Sequence, residues 1–198
     1  MSTRIQATKN NSLGFTLIEL LVVIGMLAVL ALIAIPAFSA WMPEYRLKQA
    51  ARELYSNLQR AKMGAVRANE SWGVWFDSGA SPGRYLLYSL GPNRQWDNLA
   101  SPPTGDDAYQ NITIRLSDYK GVNYGRALTI PNCPGDLGTG SITYQTPSDV
   151  VVFTNRGTVG NPLGFVYLSN GKGTCYAVGT PSPAGVVVLR KWNGSSWQ

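Results

Sequence analysis

A single carboxylate, Glu19, stands at the head of an uncharged apolar run of nineteen residues, Leu20 to Phe38. A helix of roughly 20 apolar residues spans about 30 Å of hydrocarbon, so this run suits a bilayer. An acid in or beside lipid is costly, about 2.5–3.5 kcal/mol on insertion scales, and calls for a partner of opposite charge. Other reactive groups are sparse. The chain has no histidine, which removes His-based triads, His proton shuttles and most zinc sites. Cys133 and Cys175 are the two cysteines; in an oxidising compartment they can bridge, closing a loop of about 43 residues for roughly 4 kcal/mol in the chain-entropy model. Asp106, Asp107 and Asp136 are potential calcium ligands, although acids in polar loops are more often solvated. The glycines of Gly135 to Gly140 lack the spacing of a phosphate cradle and precede no helical pattern, so they form turns. No pair of carboxylates is singled out for catalysis. The expectation is a protein that is not an enzyme and has no cofactor and no metal site.

The elements that position Glu19 follow from the pattern around it. Residues 1–14, MSTRIQATKNNSLG, are polar, carry Arg4 and Lys9 and no acid, and end at a Gly14-Phe15 junction. A secretory signal places its apolar core before the cleavage site and loses it, whereas a cut here keeps the core. Such a cut creates an α-amine at Phe15, four residues from Glu19. An amine from a neighbouring copy suits that carboxylate better than the amine of its own helix. A plain signal anchor shares the hydropathy but explains neither the junction nor Glu19. Basic residues flank the run on both sides, so the positive-inside rule does not orient it.

Beyond Phe38, Leu47, Ala50, Ala51, Leu54, Leu58, Ala61 and Ala65 recur at helical spacing, with charged residues between them. The pattern predicts one long helix from Phe15 to about Arg67, with Pro43 as a kink or a fresh start. From Trp72 the chain becomes short β runs between turn residues: Trp72–Asp77, Arg84–Leu90, Ile112–Leu116, Ser141–Gln145, Val150–Asn155, Gly164–Leu168, Thr174–Val178 and Val186–Trp192. The expected organisation is a leader at 1–14, a transmembrane helix half at 15–38, an amphipathic helix half at 39–68 and a β-rich head at 69–198. The fold class is α+β, a long N-terminal helix packed on an antiparallel β-rich head around a single core.

The stretch GFTLIELLVVIGMLAVLALIAIP resembles the class III signal of type IV pilins and type II secretion pseudopilins. LYSNLQRAKMGAVRANESWGVWFD and the region from Val150 to Trp192 are similar to the GspH/FimT group of minor pilins. That resemblance implies cleavage after Gly14 by a prepilin peptidase, N-methylation of Phe15, pairing of Glu19 with a neighbouring subunit's amine during assembly, and a helix-loosening role for Pro36. It further implies a structural subunit of a secretion pseudopilus or pilus. Its place is the inner membrane, crossed once, with the leader in the cytoplasm and the head in the periplasm, and its partners are other pilin subunits. A DNA-binding or adhesive role at a pilus tip is the alternative. The sequence has 17 basic and 11 acidic residues, 15 against 11 once Arg4 and Lys9 leave with the leader. Arg156, Arg190 and Lys191, with Trp192 and Trp197, could contact DNA, or stand as a solvated surface, the charge being spread along the chain. Secreted cargo is another potential ligand of the head.

Overall fold

The computed structural model describes residues 15–96, 105, 112–127, 129–144, 149–160 and 163–198. Among the described residues one α-helix, α1 (Leu17–Ala68, 52 residues), precedes eight strands: β1 (Trp72–Asp77), β2 (Arg84–Ser89), β3 (Ile112–Arg115), β4 (Asn123–Tyr124), β5 (Val150–Phe153), β6 (Gly164–Ser169), β7 (Cys175–Thr180) and β8 (Val188–Trp192). The expected α+β class is what the structure has. Contacts divide the chain into two compact units, residues 1–41 and 42–198.

In the first unit, α1 begins at a polar cap. Thr16 precedes the helix, and its hydroxyl accepts the Glu19 N–H at 3.2 Å. Thr-Leu-Ile-Glu thus has the spacing of a capping box, with Glu19 at the third helical position. Leu17–Pro36 is 20 residues long, apolar enough to cross a membrane and unburied by the rest of the protein. Pro36 stops nothing: α1 runs through both Pro36 and Pro43. Each proline removes one N–H donor from the ladder, and the Ser39 hydroxyl donates to the Pro36 carbonyl at 2.9 Å. The fresh start considered at Pro43 does not occur.

In the second unit the Leu/Ala stripe of α1 is the spine of the core. Leu47, Ala50, Ala51, Leu54, Leu58, Ala61 and Ala65 are all buried. They meet one face of two antiparallel sheets, ordered β3-β2-β1-β5 and β4-β6-β7-β8. Alternation decides what each strand contributes. Trp72, Val74 and Phe76 of β1 join the helix cluster, as do Val166 and Leu168 of β6 and Tyr176 and Val178 of β7. Gly64 allows the close approach of α1, since a Cβ there would lie 2.9 Å from the Trp72 ring. The expected single core is therefore incomplete. The reverse face of the first sheet holds Trp75, Leu86, Tyr88 and Val150, and the reverse face of the second holds Phe165, Tyr167, Cys175 and Ala177 with Ile130 and Cys133 from a loop.

Strand boundaries depart from expectation where side chains are committed elsewhere. Leu116 leaves β3 to open a short 3-10 turn and is buried. Ser141–Gln145 is not a strand: it touches β6 through an isolated Ile142↔Val166 bridge, and Gln145 lies outside the described residues.

Candidate functional site

Two regions bear on function. The first is the start of α1. Phe15 is 84% exposed, and Glu19 is exposed four positions later with its backbone N–H already capped by Thr16. The helix N-terminus carries about half a positive charge, so Glu19 has a favourable local field as well as any external partner. Gly14, the expected cleavage position, lies outside the described residues, as do Arg4, Lys9, Asp106 and Asp107.

The second region is the reverse face of the β4-β6-β7-β8 sheet. Asp136, expected in a solvated turn, is instead buried. One carboxylate oxygen accepts the Thr143 hydroxyl at 2.7 Å and the Gly138 N–H at 3.1 Å, and the other accepts the Tyr167 hydroxyl at 2.7 Å. Tyr167 in turn accepts the Cys133 N–H at 2.8 Å, while the Asn132 amide donates to the carbonyl of Gly138 at 2.8 Å. A carboxylate surrounded by donors clamps the loop 131–143 over the sheet. Among the described residues no cluster of three or more His, Cys, Asp or Glu side chains could hold a metal.

Cys133 and Cys175 meet in this same cluster, but the expected bridge is absent: both are free, buried thiols. The Cys175 thiol is turned toward the carbonyls of Gly125 and Tyr176, each at 3.7 Å. Burial pushes each thiol up to about 12, against the lowering field of Arg190 on Cys133 and of Arg126 on Cys175. A protonated, buried thiol is a poor nucleophile. Both cysteines are therefore expected to resist maleimide near pH 8 in the folded protein and to react once it is unfolded. A bridged peptide in a non-reducing mass map would overturn that. The same shifts set a pH dependence. From about 9 to 12 the unfolded thiols ionise while the folded ones hold their protons, so stability falls as pH rises through that window. Tyr119 adds to the fall between about 10 and 12, because partial burial and its hydrogen bond to Glu53 push it up to about 12.

The three cations expected as a nucleic-acid patch are not one surface. Neighbouring residues of a strand point to opposite faces. Lys191 faces the helix side of β8, where it pairs with Glu44 at 2.5 Å and stands over the Tyr176 ring. Arg190 faces the other side, near Cys133, and Arg156 lies in the exposed turn after β5. Charge is also less evenly spread than the sequence alone suggested. Residues 42–68 have six basic and two acidic side chains, whereas residues 69–198 have nine and eight. The excess is on α1, where Lys48, Arg52, Arg60 and Arg67 are exposed.

Comparison with known proteins bears on the first region. The family signature described as the prokaryotic N-terminal methylation motif matches residues 9–35, spanning Gly14, Phe15 and Glu19. Residues 9–35 are thus similar to that motif. The chain is also 42% identical over 86 residues to the pilin-like protein PilA1 of Thermus thermophilus, a match covering 42% of this chain and 53% of that protein. It thus spans about half the length of that curated relative. A solved structure, the minor pseudopilin EpsH from the type 2 secretion system of Vibrio cholerae, is similar over 73% of this chain and 95% of that one, at 14% identity and a TM-score of 0.44.

Proposed function

We propose that this chain is a minor pilin or pseudopilin, a structural subunit that a prepilin peptidase processes and that assembles with other subunits into a secretion pseudopilus or type IV pilus. The observation that carries the reading is the coincidence of the methylation motif at residues 9–35 with a membrane-length helix bearing one acid in its first turn. Cleavage after Gly14 and methylation of Phe15 would leave the apolar helix in the inner membrane as a single span, leader side cytoplasmic and head periplasmic. Glu19 then matches the amine of an adjacent subunit, since a carboxylate taken out of water needs an opposite charge. Nothing catalytic is required of the head, whose buried acid and thiols serve packing.

The test is the intact mass and N-terminal peptide after co-expression with a prepilin peptidase. The expected product begins at N-methyl-Phe15 in the native chain and disappears in Gly14→Ala. Retention of residues 1–14 in both would sink the reading in favour of a signal anchor.

A further inference from the structure

Beside β4 and the turn that joins β6 to β7 lies a cavity of about 440 Å³, a size common among small-ligand sites. One wall has Asn123, Tyr124, Arg126, Ala127 and Ile130, and the other has Ser169, Asn170, Gly171 and Gly173. Gly171 and Gly173 sit at positive φ, 71° and 83°, with no atom within 4 Å of where a Cβ would stand. That rim is therefore bare of side chains and open.

The side-chain polar groups left uncommitted in the cavity are donors. The Asn123 Oδ1 already accepts the N–H groups of Gly83 and Tyr124, each at 2.9 Å, and the Asn170 Oδ1 accepts the Lys172 N–H at 3.0 Å. Both amide NH2 groups remain, with no acceptor among the described residues. The Ser169 hydroxyl is engaged by the Gly171 N–H and the Thr174 carbonyl, and the Tyr124 hydroxyl donates to the Arg84 carbonyl. Arg126 donates one N–H to the Ile130 carbonyl at 2.8 Å and lies 4.9 Å from the centroid of the Tyr167 ring. Those two contacts fix the guanidinium, and its other N–H groups are unused. Its field reaches Cys175, the strand partner of Ser169. No acid lines the cavity, while exposed Lys120 and Lys172 adjoin its glycines.

Donors without side-chain acceptors suit neither a cation nor a neutral polyol, which has protons of its own to donate. They suit an oxyanion. A single lining cation matches one negative charge, and Tyr124, Ala127 and Ile130 add apolar surface. We propose that this cavity binds a carboxylate carried beside a small apolar group, with the carboxylate on Arg126 and the amides of Asn123 and Asn170. A guanidinium already held in place loses little freedom on binding. A small organic acid and the C-terminus of a polypeptide both have this chemistry.

The probes are N-acetyl-leucine, N-acetyl-leucinamide, an acetylated hexapeptide ending in a free leucine carboxylate, and inorganic phosphate, each titrated into the isotope-labelled full-length protein in detergent. N-acetyl-leucine is expected to shift the amide resonances of Gly171 and Gly173 at millimolar concentration, and the uncharged amide to bind about tenfold more weakly or worse. Tighter binding of the hexapeptide than of N-acetyl-leucine identifies a chain end as the ligand; equal or weaker binding identifies a small acid. Asn170→Asp keeps the acceptor for the Lys172 N–H but sets a negative oxygen where a donor stood. It is expected to lose about tenfold or more in affinity with an unchanged Tm, and Arg126→Gln to lose as much. No shift at about 10 mM N-acetyl-leucine, equal binding of acid and amide, phosphate binding as tightly as the acid, or native affinity in Asn170→Asp overturns the proposal.

Discussion

Glu19→Gln is expected to be cleaved and methylated normally yet to fail to enter filaments, with incorporation falling by about a hundredfold or more. The substitution separates the proposed pairing with a neighbouring subunit from a capping role that a side chain at this position can also serve. Glu19 is the third helical residue after the Thr16 cap, and glutamine serves a capping box as well as glutamate does. Helix initiation should therefore survive. The charge does not survive, and with it goes the attraction to a neighbour's amine, a coupling of several kcal/mol between close charges shielded from water. The measurement is the ratio of subunit in sheared filaments to subunit in membranes, beside the intact mass of the membrane pool. Normal incorporation of the glutamine variant would sink the intersubunit pairing and leave Glu19 as a helix cap.

Asp136→Ala should destabilise the head by about 3–5 kcal/mol, since it strands several donors that bond to a buried acid. The Tyr167 hydroxyl and the Gly138 N–H lose their acceptor. Thr143 is less affected, because its hydroxyl also bonds to the backbone of Phe165 at 3.2 and 2.8 Å. The loop bearing Cys133 should loosen with the network. Trp197, whose ring lies 5.8 Å from Tyr167 and whose indole N–H donates to Pro131 at 3.1 Å, reports it. Denaturant unfolding followed by tryptophan fluorescence gives the magnitude, and thiol labelling gives the loop. A loss below about 1 kcal/mol with unchanged labelling would mean that water, not the carboxylate, satisfies these groups.

The helix was legible because its two halves obey different rules, both visible in residue type. An uncharged run followed by Leu and Ala at steps of three and four predicts α1 within two residues at the start and one at the end. β1 was legible for a similar reason, its Trp-Gly-Val-Trp-Phe-Asp being bounded by turn residues and matching the observed strand. β4 was not, since two residues, Asn123 and Tyr124, pair with Ser169 and Leu168 without leaving any periodicity. Ile142 and Thr143 have strand-like side chains, but Thr143 is committed to Asp136, and that long-range commitment has no local signature. In the candidate site, the Thr16 cap was missed although its signal was present: a Thr three residues before a Glu at the head of an apolar run marks a helix start. Arg190 and Lys191 misled because adjacency in sequence means opposite faces in a strand. The partner of Asp136 was hidden 31 residues away at Tyr167.

Every residue that α1 gives to the core of the head lies at or beyond Leu47, whereas the membrane-length stretch ends at Pro36. The stretch from Leu17 to Pro36 can therefore trade lipid for any other apolar surroundings without uncovering a single core side chain. In the proposed reading, transfer of that stretch out of a bilayer and unfolding of the head are separate equilibria, so the work of extraction is set by Leu17–Pro36 and not by the stability of the sheets.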